Sequence, residues 1–441
     1  MINIIVELSK YLMIILTILY TLQCFTVFRH DSKKDLSFGF VRQNVLMFLN
    51  HFVAYVVLIL QSGNKELVIF YGAQFIFLMA TIILFGFIYP KASRLVTNNM
   101  CMLLSIGFIM LTRLSYTKAL KQFKIVVISM IIALFVPVII RKMKFLEKLG
   151  YVYAIVGLGL LLIVAGFANI QGGALLSLTI LGISFQFSEF VKIIFVFGIA
   201  CFLKNATTFL DIVKVTILAA AHVLTLVLST DLGGGLIYFV AFLIMLYVST
   251  RQPLYLLGGL LAGSGASVIA YHVFSHIKIR VASWIDPLAV YQNGGLQLSQ
   301  SLFAIGTGSW FGLGLYQGAP NEIPVAEEDF IFSAIAEEMG GIYGICVILI
   351  CMSVFIMFIN IAMQIKNRFY KLVALGLGTI YGFQVFLTIG GAIKFIPSTG
   401  VTLPLISYGG SSIVSTLIMF SIIQGLYILR EDEEENLEKQ K

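Results

Sequence analysis

Lys278-Ile279-Arg280-Val281-Ala282-Ser283-Trp284-Ile285-Asp286-Pro287 opens, and Glu327-Glu328-Asp329-Phe330-Ile331-Phe332 closes, a partly polar stretch running from Ile277 to Gly341. Between them lie Gln297-Leu298-Ser299-Gln300-Ser301 and the glycines Gly306, Gly308, Gly312, Gly314 and Gly318. The chain on either side is strongly apolar. A membrane-embedded chain that keeps a loop of about 50 residues outside the bilayer has a use for it, since loops of such length are usually functional.

Working outward, composition sets the class. Of 441 residues, 59% are hydrophobic and 11% charged, and the mean hydropathy is +1.00. Soluble domains carry about 25% charged residues. The expected fold is all-α and polytopic, because a spanning segment must satisfy its own backbone hydrogen bonds. A β-barrel would show short alternating segments instead of apolar runs of roughly 20 residues. The runs fall near 4–28, 43–61, 67–90, 98–113, 124–140, 151–168, 186–203, 214–229, 233–249, 253–274, 330–358, 370–390 and 405–430, about 13 spans. Asp231-Leu232-Gly233-Gly234-Gly235 either breaks one helix or separates two, since glycines cost helix stability. The first run is long enough to span and lacks a small-residue cleavage site, so no removable signal peptide is expected.

The net charge of +8 does not argue for nucleic acid. Basic residues sit in short loops: Arg29, Lys33, Lys34 and Arg42; Lys91 and Arg94; Arg141 to Lys148; Lys204 and Lys214; Arg251; Lys366 to Lys371. With 13 spans these share one side, which the positive-inside rule assigns to the cytoplasm. The 275–329 loop is then extracytoplasmic. Arg113, Lys118, Lys121 and Lys124 break the pattern, either through the span count or by serving something external such as phosphate. The acidic run Glu431 to Glu435 reads as a solvated, frayed cytoplasmic tail. The five cysteines and five histidines show no metal-ligand spacing.

Charges inside spans are costly and are functional candidates by default. Glu189 and Lys192 are three apart on one helix face, so they pair to lock helices together or line a cavity. Asp231 fits a cap or turn as well as chemistry. Glu337 and Glu338 point different ways as neighbours, so at most one should face the interior, in a packing or pairing role. His222 and His272 read as satisfied core histidines. Asp329, beside Glu327 and Glu328, starts a span at the membrane boundary. Clustered carboxylates raise one another's pKa and can supply a general base; equally, Asp329 could only favour a helix N-terminus. A second polar group, Pro397 to Ser412, has two prolines and three glycines and reads as a broken approach to the last span. Non-helical backbone at that depth must line a cavity or be buried in protein. Together the two stretches imply an outward-facing polar cavity.

Pro404-Leu405-Ile406-Ser407-Tyr408-Gly409-Gly410-Ser411-Ser412 resembles the signature of the SEDS family (shape, elongation, division and sporulation). So does Asp329-Phe330-Ile331-Phe332 followed by Ala336-Glu337-Glu338-Met339-Gly340. Phe185-Gln186-Phe187-Ser188-Glu189 with Lys192, Thr230-Asp231-Leu232-Gly233, and Gln300-Ser301 with Ala304-Ile305-Gly306 agree in the same order. The resemblance covers roughly 98–430 as about ten spans; residues 1–97 look like three additional ones. Departures are Phe187 for a proline, Glu327-Glu328 where His-Thr is frequent, Thr388 for an asparagine, Lys394 for a glycine, and no Gly-Ala-x-x-Trp element in Gly172 to Gly182.

The resemblance implies a multi-pass bacterial cell-membrane enzyme, an inverting peptidoglycan glycosyltransferase. It would polymerise lipid II into glycan strands at the outer membrane face, in elongation, division or sporulation. Its implied partner is a class B penicillin-binding protein acting as transpeptidase. Asp329 maps onto the family's catalytic aspartate. Lys192, Glu189, Arg280, Gln297, Gln300, Ser301, Lys394, Ser407 and Ser411 become candidate substrate-binding residues, with Asp231, Glu337, Gly409 and Gly410 in support. The chemistry allows a divalent cation, Mg or Mn, at the pyrophosphate. A lipid II flippase and a non-catalytic scaffold of a cell-wall complex are the alternatives; gathering of the polar motifs on one side disfavours the first, and retention of the Asp329 motif disfavours the second.

Overall fold

The computed structural model describes residues 2–27, 33–167, 169–171, 174–180 and 183–439; Arg29, Gly172 and Gly182, named above, lie outside them. The apolar runs become helices because bilayer-length segments close their hydrogen bonds internally. Helices α1 (Ile2–Thr26), α2 (Lys33–Ser62) and α3 (Glu66–Ile88) form the N-terminal group. They are followed by α4 (Arg94–Leu114), α5 (Tyr116–Lys142), α6 (Gly150–Phe167), α7 (Ser188–Leu203), α8 (Phe209–Leu228), α9 (Leu232–Thr250) and α10 (Pro253–Val273). The outer loop holds α11 (Ser275–Ile285), α12 (Leu296–Gly308) and α13 (Ile331–Met339), and the chain ends with α14 (Gly341–Gln364), α15 (Arg368–Ala392) and α16 (Gly410–Glu438). Among the described residues, 11 of these helices are long and apolar enough to cross a membrane. The runs at 151–168 and 186–203 form α6 and α7, which are not among the 11.

Helix α4 is the hub. Every residue from Leu95 to Thr112 is buried, because α2, α3, α5, α14 and α16 pack around it. The N-terminal group is bound in through buried polar contacts as well as apolar ones. Tyr20 donates to Asn99 Oδ1 at 2.9 Å, Asn99 Nδ2 donates to Ser353 Oγ at 2.7 Å, and Asn50 Nδ2 donates to the Tyr343 hydroxyl at 3.0 Å. Buried polar groups satisfied in this way fix one register between helices that apolar packing alone would let slide.

Several expectations change. The 330–358 run is two helices, broken at Gly340, whose φ of +93° suits glycine. Of the two readings of the Asp231 stretch, the one that separates two helices holds: the chain breaks at Ser229 to Asp231, Asp231 is the N-cap of α9, and the three glycines lie in its first turn. Three short antiparallel strands, Asn169–Gln171, Ala174–Ile180 and Ile183–Phe185, precede α7. The acidic tail continues α16 as helix: Asp432 pairs with Lys91 at 2.7 Å and with Arg141 at 2.6 Å, and Glu435 with Lys91 at 2.8 Å. The frayed-end reading fails because two cations, Lys91 from the loop after α3 and Arg141 from the last turn of α5, meet that helix. His272 is exposed, not a core residue, while His222 is buried with Nδ1 2.9 Å from the Leu218 carbonyl.

The outer loop folds onto the end of α13. Leu313 N and Gly314 N donate to the carbonyls of Glu337 and Glu338 at 3.0 and 2.8 Å, and Gly341 N donates back to Ser309 O at 2.8 Å. A side chain on Gly312 would meet the Glu338 carbonyl oxygen at 2.4 Å, so this crossing needs glycine.

Candidate active site

Lys192 is buried on α7 and donates to Glu189 Oε2 at 2.6 Å and to Gln384 Oε1 of α15 at 3.1 Å. Ser415 of α16 donates to the same Glu189 oxygen at 2.9 Å. The pair is therefore self-neutralised and tied to two further helices, yet it also lines a cavity with Ser188, Asp231, Gly400 and Thr402. Both sequence readings of the pair hold at once. Asp231 caps α9 by accepting from Gly234 N at 2.9 Å, and it accepts from Ser188 Oγ at 3.2 Å. Burial raises its pKa, and the nearby Glu189 charge adds to the rise.

The 397–412 segment folds over this cavity without regular structure. Gln384 Nε2 donates to Thr402 O at 3.0 Å, and Thr388 Oγ1 to Val401 O at 2.8 Å. Gly233 gives it room: a Cβ there would lie 2.5 Å from Val401 Cγ2 and 2.9 Å from Thr399 O.

Asp329 stands at the rim, half-buried, one residue before the N-cap position of α13. Among the described residues nothing donates a hydrogen bond to its carboxylate, so it does not cap the helix through a side-chain bond. Burial pushes the Asp329 carboxyl up to about 6; Glu328 adds to the rise and Arg280 opposes it. Burial likewise raises Glu328 and lowers Arg280. Arg280 approaches from α11 and donates from Nη1 to Ser398 O at 3.2 Å. A base near neutrality, with a free lone pair and a guanidinium close by, is suited to proton abstraction beside developing negative charge.

The signature turn holds this aspartate. Tyr408 N donates to Glu327 O at 2.7 Å, and Ser407 Oγ donates to Glu328 O. Ser407 Oγ also accepts from Leu403 N at 2.9 Å, and Gln122 Nε2 donates to Ser407 O at 3.1 Å. Ser407 is buried and acts on the backbone before Asp329. Ser411 Oγ accepts from Gln186 N at 2.9 Å and so fixes the entry to α7. Gly409 N donates to Gln122 Oε1 at 3.3 Å, and Gly410 opens α16.

Other expected residues lie apart from Asp329. Gln297 is exposed on α12, and Gln300 donates to the Tyr291 hydroxyl at 2.9 Å. Ser301 is fully buried, donating to Ala392 O at 2.7 Å and bonded to Ser333 Oγ at 2.6 Å. Lys394 has a left-handed φ of +61°, and its carbonyl accepts from Trp284 Nε1 at 3.2 Å.

Both Glu337 and Glu338 are buried, against the expectation of at most one. They converge on Gly318: a Cβ there would lie 2.9 Å from Glu338 Cγ and 3.0 Å from Glu337 Cδ. Ala319 N donates to Glu337 Oε1 at 3.0 Å. Arg113 Nε donates to Glu338 Oε1 at 2.8 Å, and Arg113 Nη2 to Gly318 O at 3.0 Å. Lys118 pairs with Glu327. These two outer-side cations therefore answer internal carboxylates, which explains why they break the basic-loop pattern. Lys121 and Lys124 remain exposed. Sequence reasoning missed Gln122 and Gln384, single polar residues with no local pattern to mark them, and it placed Gly400 only within the broken 397–412 segment.

This architecture defines a class: a polytopic helical membrane protein with an acidic site held between an outer loop and a broken segment before its last helix. The pattern of the FtsW, RodA and SpoVE family, described as cell cycle proteins, matches residues 93–431. The chain belongs to that family, which is the SEDS family. It is 30% identical over 360 residues to the peptidoglycan glycosyltransferase RodA of Mycobacterium leprae, covering 76% of this chain and 77% of that one. It is 32% identical over 297 residues to the RodA protein of Mycobacterium tuberculosis, covering 63% of each chain. It is 30% identical over 335 residues to a probable peptidoglycan glycosyltransferase FtsW of Methylomonas methanica, covering 71% of this chain and 86% of that one. The fold is similar to that of a chain from a peptidoglycan synthase complex that coordinates polymerization and crosslinking, with TM-score 0.66, 22% identity, and coverage of 77% and 98%. It is also similar to the rod shape determining protein RodA of Thermus thermophilus, with TM-score 0.59, 21% identity, and coverage of 76% and 96%.

Proposed function

We infer that this chain is a peptidoglycan glycosyltransferase that joins lipid-linked disaccharide units, lipid II, on the outer side of the bacterial cell membrane. The observation that carries the reading is Asp329: a carboxylate with a pKa near 6, unbonded, opposite Arg280, in a family whose named members carry this activity. Asp329 takes the proton from the acceptor sugar hydroxyl. That oxygen forms a bond to the donor's anomeric carbon while the bond from that carbon to the pyrophosphate oxygen breaks. The electron pair leaves with the polyprenyl pyrophosphate, and attack from the opposite face inverts the anomeric centre. Arg280, close to Asp329, offsets the leaving-group charge. Lys192 is already engaged by Glu189 and Gln384, so it holds the cavity floor.

The described residues hold no group of three or more acidic, histidine or cysteine side chains suited to a metal. A Mg or Mn ion would therefore share its ligands with the substrate pyrophosphate, as Mg commonly does. A class B penicillin-binding protein is the partner that would crosslink the product.

The test uses purified full-length protein with labelled lipid II, alone and with a candidate transpeptidase. Asp329→Asn preserves size and removes the base, so polymer yield should fall about 10²–10⁴-fold while the protein still inserts and folds. Wild-type yield from that variant would overturn the assignment.

A further inference from the structure

A second cavity lies at the opposite end of the bundle, far from Asp329 in the fold, and nothing in the reaction uses it. Its volume is about 670 Å³, within the range of ligand sites. It opens between the starts of α6 and α8, roofed by the loop after α7. Its floor is apolar: Ala154 on α6 with Val215 and Leu218 on α8. Its rim carries Lys148, Lys204 and Lys214. This is the lysine-rich side of the protein, which the positive-inside rule assigns to the cytoplasm.

The charges at the rim are unequally occupied. Glu147 is engaged by Lys204 at 3.1 Å. Asp211 is engaged in the N-cap of α8, where Thr208 Oγ1 and Thr208 N donate to it at 2.8 and 3.1 Å. Lys148 and Lys214 are exposed and form no ion pair among the described residues. Tyr151 stands at the mouth, 76% exposed, with its ring against Phe202; amphipathic rings of this kind settle at headgroup level. The site thus offers Lys148 and Lys214, neither of them in an ion pair among the described residues, above an apolar floor, with the Asp211 carboxylate near Lys214.

We propose that this cavity binds an anionic glycerophospholipid of the cytoplasmic leaflet, its phosphate between Lys148 and Lys214 and an acyl chain along Ala154, Val215 and Leu218. Basic pockets between spanning helices on the cytoplasmic side are suited to such headgroups. A zwitterionic lipid would present a choline or ethanolamine cation to the lysines and bind less well. A free phosphate would gain the charge contact but not the apolar floor.

The test is native mass spectrometry of the full chain in a neutral detergent, titrated with phosphatidylglycerol, phosphatidylcholine or sn-glycerol 3-phosphate. Phosphatidylglycerol should bind saturably and at least tenfold more tightly than either control. Lys148→Gln with Lys214→Gln should weaken it about 25-fold, at roughly fivefold per lysine near a headgroup. The double arginine variant should retain binding, and thermal unfolding without lipid should be unchanged in both, since both side chains are exposed. Ala154→Trp, which fills the floor, should also abolish binding. Equal affinity for phosphatidylcholine, full competition by glycerol phosphate, or unchanged binding in the glutamine variant would each overturn the proposal.

Discussion

Asp329 and Arg280 face each other across Gly400: a methyl group on Gly400 would lie 3.6 Å from Asp329 Oδ2 and 3.3 Å from Arg280 Nη2. No ion pair closes the gap among the described residues. The guanidinium is held instead by Ser398 O, which leaves the carboxylate open to a substrate proton while still lowering its pKa.

That arrangement sets the pH dependence. Asp329 must be ionised to act as base, so the rate should rise with pH through about 6. Removing Glu328's charge with Glu328→Gln should move this limb to lower pH, and Arg280→Gln should move it higher. Single-turnover lipid II polymerisation between pH 5 and 8 measures both shifts; movement in the same direction would refute the electrostatic account. The sign for stability is opposite. A folded-state pKa above the unfolded value near 3.9 favours folding at low pH, and that contribution is lost as pH rises through about 6. Asp329→Asn should therefore be at least as thermally stable as the parent at pH 7.

Gly400 itself is a sensitive position. Its φ is +72°, where an L side chain costs roughly 1–2 kcal/mol. Gly400→Ala should lower Tm by a few degrees and displace Arg280, with activity reduced up to about 100-fold, the scale of a small misplacement. A lower Tm with full activity would show that the Arg280–Asp329 spacing does not matter.

Arg113→Met should destabilise strongly, by about 3–5 kcal/mol, because Glu338, whose carboxyl burial already pushes up to about 7, then loses its cation and must be buried without it. Pairing it with Glu338→Gln should recover much of the loss. Detergent-phase unfolding of the two single variants and the double variant measures the coupling; additive effects would mean that the pair is not the dominant interaction.

Lys192→Met faces the same logic inside the bundle. It strands Glu189, whose other partner is Ser415, so folded yield should fall more than in the double variant Glu189→Gln with Lys192→Met. Greater damage in the double variant would point to separate roles at the substrate.

Much of this was legible along the chain. The helical membrane class followed from hydropathy, because spans must be apolar and about 20 residues long. The position of Asp329 followed from its motif and from an acidic cluster placed where polar residues are otherwise few. The Glu189–Lys192 pair followed from helical spacing. Burial of both Glu337 and Glu338 was not legible, since it depends on Gly318 and Arg113 arriving from distant segments to surround one short helix. The helical, ion-paired tail likewise required Lys91 from the loop after α3 and Arg141 from the end of α5.

The sequence by itself determined which segments are apolar enough to enter the membrane and where an acidic cluster stands at the boundary, because transfer free energy and local spacing are properties of short stretches. Only the tertiary structure decided what each polar residue does. It showed Ser407 and Ser301 buried and bonded to backbone carbonyls, and gave Arg113 and Lys118 internal partners. It also revealed Gln122 and Gln384 and set Gly400 between Arg280 and Asp329. Hydrogen bonds and Coulomb interactions act over a few ångströms in space, and residues 285 positions apart, such as Gln122 and Ser407, become neighbours only when the helices pack.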